Sequence, residues 1–136
     1  SRDRMDIRRV SVWRAGELLF LRVVFHRNDP RSTYCTVRLQ SMEGGNFWLQ
    51  TWNTDPAVYW GARFREGEPF SRWANMPVVP KLEMACLDVF ELLFRPADFG
   101  LRGRFRILFH AGGFGADGKP TFHADESDWL TVAWGE

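Results

Sequence analysis

A two-residue hydrophobic period that recurs along nearly the whole chain is what most constrains its fold. In the run Leu19 to His26, Leu19, Leu21, Val23 and Phe25 share one face, while Phe20, Arg22, Val24 and His26 share the other. One face is wholly apolar and the other mixed, as in a strand packed on a core. Similar runs follow at short intervals: Ile7 to Trp13, Thr33 to Gln40, Phe47 to Trp52, Val58 to Arg65, Phe70 to Trp73, Met84 to Phe94, Arg104 to His110 and Trp129 to Trp134. Turn chemistry separates them at Arg14–Glu17, Asn28–Arg31, Met42–Gly45, Asn53–Pro56 and Glu66–Pro69.

Strands about every ten residues predict an all-β fold: one antiparallel β-sandwich domain, jelly-roll or immunoglobulin-like, of eight or nine strands. The predicted core comprises Leu19, Leu21, Val23, Phe25, Val89, Leu92, Phe105, Ile107 and Leu130. Met76-Pro-Val-Val-Pro80 carries two prolines, cannot be an interior strand, and reads as a loop crossing from one sheet to the other. Lys81 to Phe94 has a competing helical periodicity through Leu82, Ala85, Cys86, Val89, Phe90 and Leu93. The continuous apolar run ending in Arg95-Pro96, with strands on either side, makes strand the better reading.

At 136 residues the chain can bury a core without disulfide staples. A net charge of +1, with charges interspersed, argues against nucleic acid as partner, since that needs a concentrated basic face. Lys81 and Lys119 are the only lysines; the arginine skew reads as the mark of a GC-rich genome, and Arg2, Arg4, Arg8 and Arg9 as solvated side chains of an edge strand. Cys35 and Cys86 both lie in apolar segments, which leaves buried thiols and a disulfide both open. No apolar run approaches 18 residues, so no membrane span is expected, and there is no signal-peptide core. The chain starts at Ser1 and reads as a module excised or processed from a larger protein.

Val89-Phe-Glu-Leu-Leu-Phe-Arg-Pro-Ala-Asp-Phe-Gly-Leu101, then Arg104 to Phe109, then Asp128-Trp-Leu-Thr-Val132, resembles the C-terminal half of the DOMON-like and family 9 carbohydrate-binding modules. The hairpin of Ile7–Trp13 and Glu17–Val23 is similar to their opening pair, while residues 40 to 80 find no counterpart. The resemblance implies a short helical turn at Pro96–Gly100, a non-catalytic binding role, and an extracellular or periplasmic setting. Its members include sugar-binding modules, which clamp their ligand between aromatic side chains, and haem-binding domains.

The candidate ligand-binding residues are Trp48, Gln50, Trp52, Trp60, Arg72 and Trp73, with Asn46, Asn53, Asp55 and Tyr59 nearby in sequence. An indole offers a flat apolar face to the C–H face of a sugar ring, and its N–H can bond a hydroxyl. Trp48, Gln50 and Trp52 share one face of a strand: an exposed face makes them a stacking platform with a polar centre, an inward one makes them core. Carbohydrate is the expected partner. A protein surface, or another domain of the same parent chain, is the alternative, for which Gly112-Gly-Phe-Gly115 reads as a flexible loop presenting Phe114.

Asp125, Glu126 and Asp128 cluster hard oxygens in a polar loop from Asp117 to Asp128. They are the candidate calcium ligands, although their spacing is not that of an EF-hand and carboxylates also solubilise turns. Haem is a further reading, with Met42, Met76 or Met84 and His26, His110 or His123 as axial ligands, but no attachment motif accompanies them. No catalytic constellation is recognisable, so no enzyme is expected.

Overall fold

The computed structural model describes residues 7–25, 33–52, 55–75, 82–86, 89–114 and 120–135. Within these, side chains at 33, 51–52, 55–60, 82–86, 113–114 and 120–124 are not described. Arg2, Arg4, His26, the Asn28–Arg31 turn, Asn53, Met76–Pro80, Lys81, Gly115 and Lys119 lie outside the described residues.

Among the described residues the chain is mostly strand, without an α-helix. Eleven strands form: β1 (Ile7–Ala15), β2 (Leu18–Phe25), β3 (Thr33–Ser41), β4 (Gly45–Trp52), β5 (Asp55–Arg65), β6 (Ala74–Asn75), β7 (Leu82–Cys86), β8 (Val89–Phe94), β9 (Gly103–Phe114), β10 (Pro120–Glu126) and β11 (Leu130–Gly135). They make two antiparallel sheets. The small one runs β1-β2-β8-β7; the large one runs β10-β9-β3-β4-β5-β6, with β11 also on β9.

Three differences separate the strands from the sequence reading, two of which raise their number. The run Met84 to Phe94 is not one strand: it splits into β7 and β8, which pair with each other from Leu82↔Phe94 to Cys86↔Phe90. Between the two strands Asp88 is the single turn-favouring residue, a weak signal inside an otherwise apolar run. Phe70 to Trp73 is not a strand either. Phe70–Arg72 form a 3-10 turn, and the return pairing is made by Ala74 and Asn75 against Arg63 and Ala62. Finally, β9 runs on to Phe114, so Gly112, Gly113 and Phe114 belong to a strand rather than a flexible loop, and part of the polar segment pairs with it as β10.

The length of β9 organises the large sheet. One edge pairs along Phe105–Gly113 with β3; the other is shared, Gly103–Ile107 with β11 and His110–Phe114 with β10. Ser127 stitches the crossing between β10 and β11 to the middle of β9. Its N–H donates to the Phe109 carbonyl (2.9 Å), and its Oγ accepts from the Phe109 N–H (3.0 Å).

The apolar face of each sheet feeds one cluster. Leu19, Leu21, Val23, Phe25, Phe90, Leu92 and Phe94 come from the small sheet; Cys35, Val37, Leu39, Leu49, Phe105, Ile107, Phe109 and Ala111 come from the large one. Phe109 meets both Phe25 and Phe90 in tilted ring contacts, with centroids 5.9 and 5.0 Å apart. Each fully buried Leu, Ile or Phe contributes roughly 1.5–3 kcal/mol by leaving water. Two predicted core residues shift: Val89 and Leu130 are only half-buried. In β8 the alternation places Phe90, Leu92 and Phe94 inward, so Val89 falls on the other face. The Pro96–Phe99 break is a 3-10 turn ended by Gly100 at φ 69°, and Phe99 packs edge-on against Phe47 and Phe94, closing one end of the core.

The strands on either side of Met76–Pro80 lie in different sheets, so the chain changes sheet across that segment. The first strand also meets the last two. Asp125 Oδ2 accepts from the Ile7 N–H (2.8 Å), and Arg14 donates through Nη1 to the Trp134 carbonyl (2.5 Å) while its guanidinium lies over the Trp134 ring, 4.2 Å from the centroid.

Candidate functional site

The outer face of the large sheet, turned away from the shared core, carries the functional candidates. Alternation fixes which residues point there. With Val37, Leu39 and Leu49 in the core, Thr36, Arg38 and Gln40 of β3 and Asn46, Trp48 and Gln50 of β4 take the opposite side. Arg106 and His110 of β9 and Phe64 of β5 join them by register.

Two clusters form on this face. The first is aromatic. Trp73, arriving from the 3-10 turn, stacks flat on Phe64, with centroids 3.9 Å apart and planes 8° from parallel. It also lies against Trp48 (5.5 Å) and Phe70 (5.1 Å). Trp48 continues edge-on to His110 (6.4 Å), and His110 to Tyr34 (5.7 Å). Burial raises the Tyr34 phenol above its ordinary pKa of 10.0. Phe70, at 69% exposure, is the end of this row most open to solvent, and Arg72 beside it is exposed.

The second cluster is polar. Asn46 is fully buried; its Oδ1 accepts from Arg38 Nε and Gln40 Nε2 (both 3.1 Å), and its Nδ2 donates to the Gly44 carbonyl (3.1 Å). Glu66 accepts from Arg38 (2.6 Å) and Gln40 (3.0 Å), and Arg106 bonds the Gln40 carbonyl oxygen. The guanidinium groups of Arg38 and Arg106 both lie over Trp129, 5.1 and 4.5 Å from its ring centroid. These groups satisfy one another, which is what polar atoms this deep in a sheet face require.

The six residues predicted for ligand binding do not form one group. Trp48 and Trp73 meet, with Arg72 adjacent in the turn. Gln50 does lie on the Trp48 face, as alternation requires, but it is buried: its Oε1 accepts from Trp48 Nε1 (3.0 Å) and Thr36 Oγ1 (3.4 Å). It braces Trp48 and is not the open polar centre of a platform. Trp73 Nε1 likewise donates internally, to the Glu68 carbonyl (3.1 Å), so both indole N–H groups are used within the chain. Trp60 pairs with Gln50 in register and Trp52 follows an irregularity after Thr51, and the side chains of both are outside the description. The sequence reading missed Phe64, Phe70, Arg38, Arg106 and Trp129. The parity of Arg38, Phe64 and Arg106 against the core positions was a usable signal.

Of the calcium candidates, Asp125 and Glu126 end β10, and Asp128 lies in the crossing to β11. Among the described residues no three His, Cys, Asp or Glu side chains form a metal-holding group. Both carboxylate oxygens of Asp125 accept backbone amides, Oδ2 from Ile7 and Oδ1 from Glu126 (2.9 Å), and Glu126 and Asp128 are exposed. Of the haem candidates, Met42 is exposed in the β3–β4 turn and His110 lies in the aromatic row; His26 and Met76 lie outside the described residues, as do the side chains of Met84 and His123. Cys35 is buried in the core, and the Cys86 side chain is not described. No described helix is long and apolar enough to cross a membrane.

A concavity of about 350 Å³ lies at one end of the sheets, between Arg14, Glu17, Arg95, Asp98, Arg102 and Trp134. Its charges are of both signs, and Arg95 and Glu17 approach only to 3.8 Å on exposed side chains, a pair of little energetic weight. Compared with known proteins, the chain matches no family model, no curated protein and no solved structure.

Proposed function

We propose that this chain is a β-sandwich binding module without catalytic activity, and that its ligand is carbohydrate held on the outer face of the large sheet. The observation that carries the reading is the aromatic row Phe64–Trp73–Trp48 on a face that takes no part in the shared core, ending in the exposed Phe70 beside Arg72. Buried aromatics are sufficiently explained by packing. A phenyl ring left 69% exposed at the tip of a braced aromatic stack is the geometry that stacks on a sugar ring, and a neighbouring guanidinium bonds its hydroxyls.

The internal bonds of Trp48 and Trp73 shape this reading. With both indole N–H groups engaged, these residues support the contact, while Phe70 and Arg72 make it. An insoluble-polysaccharide pull-down and a glycan array should therefore retain the protein. Phe70→Ala and Arg72→Ala, both at exposed positions, should each weaken retention by roughly tenfold with an unchanged melting curve. Retention of no glycan, or retention indifferent to both substitutions, removes the carbohydrate reading and leaves a protein surface as the occupant of this face.

A further inference from the structure

The small sheet buries one face in the shared core, and its other face still carries Trp13, Phe20, Val24, Val89 and Leu93. Its two central strands read Leu18-Leu-Phe-Leu-Arg-Val-Val-Phe25 and Val89-Phe-Glu-Leu-Leu-Phe94, with a single charged residue in each. A sheet with one face in water alternates apolar with polar, whereas near-continuous apolar strands belong to sheets covered on both sides. The register arranges the outer face in rows. Trp13, Phe20 and Leu93 form one, which the register continues to Glu83 on β7, with Trp13 48% exposed and its ring edge-on to Phe20 at 4.9 Å. Arg9, Val24 and Val89 form another. Between them run Ser11, Arg22 and Glu91, so the two charges stand side by side on β2 and β8 near the centre of the patch.

We propose that this face is the contact between two copies of the chain, related by a two-fold axis passing between Arg22 and Glu91. A two-fold rotation about that point exchanges the positions of the two side chains. Arg22 of each copy then faces Glu91 of the other, and the apolar residues of the two central strands on either side, Phe20 with Leu93 and Val24 with Val89, cover their counterparts. The patch is self-complementary in charge, which a face built for an unrelated partner does not need to be. From strand spacing and rise, four strands of 9, 8, 6 and 5 residues cover roughly 19 by 23 Å. That is below the roughly 800 Å² per partner of a standard stable interface, so the dimer dissociates on dilution.

Sedimentation velocity on the intact chain, from about 1 to about 200 µM, tests this across the range such an interface should span. A monomer–dimer equilibrium is expected. Arg22→Glu alone and Glu91→Arg alone should each weaken it by at least about tenfold through like charges across the axis, and the double exchange should restore it. Phe20→Asp should abolish it, with Trp13→Ser, at a more exposed position, as the second variant should Phe20→Asp not fold. Circular dichroism and melting check each variant's fold. A monomer at every concentration overturns the proposal. So does a dimer that survives the single charge reversals and the apolar substitutions, or one that the double exchange fails to restore.

Discussion

Tyr34 and Gly112 stand directly opposite each other on β3 and β9, and the fit between them explains a glycine that the sequence alone presents as a loop signal. A Cβ at Gly112 would sit 2.6 Å from Tyr34 Cε1 and closer still to Cζ and Oη, so the phenol ring occupies the space where a side chain would stand. An aromatic ring laid across a strand glycine covers backbone that would otherwise be exposed. Gly112→Ala should therefore destabilise the protein by about 1–3 kcal/mol, read from its urea unfolding midpoint, as an overpacked site does. Adding Tyr34→Ala to Gly112→Ala should recover part of that loss. A purely local strand preference would instead make alanine the better residue and predicts a gain.

At the scale of elements, Asp125 does for β1 and β10 what no backbone ladder does, joining the edges of two sheets through one carboxylate. Asp125→Ala should cost about 1.5–3 kcal/mol, because it leaves the Ile7 amide without its charged acceptor. The melting temperature should not respond to added calcium or to a chelator; a rise with calcium that Asp125→Asn abolishes would return this carboxylate to the metal reading. Elements were legible where alternation and turn residues agreed, as in β2, β3 and the Arg14–Glu17 turn, where Gly16 takes φ 63°. They were illegible where those signals parted. Met84 to Phe94 reads as one apolar run although its two halves pair with each other as β7 and β8, and Gly112-Gly-Phe114 continues a strand through glycines because of a partner 78 residues away in sequence. The candidate site was half legible for the same reason. Parity placed Trp48 and Gln50 on one face, but the Trp73 stack on Phe64 depends on where a turn returns the chain, which no local pattern encodes.

Across the whole molecule, the first strand lies beside the last two, Ile7 against Asp125 and Arg14 against Trp134. Residues 7 and 135 therefore sit at opposite ends of β1, separated by roughly 23 Å at the rise of an extended strand. A circular permutant that joins Gly135 to Ile7 through two added residues cannot span that distance, while about ten residues can. The short-linked form should lose cooperative unfolding by circular dichroism, and the long-linked form should keep it. Equal behaviour of the two would show that the ends lie together after all. The same arrangement decides how tension passes through the protein. A pull on its two ends runs lengthwise along β1 and β11, loading the ladders of both strands all at once, so the unit resists stretching as a lap joint does and would not open rung by rung like a zip.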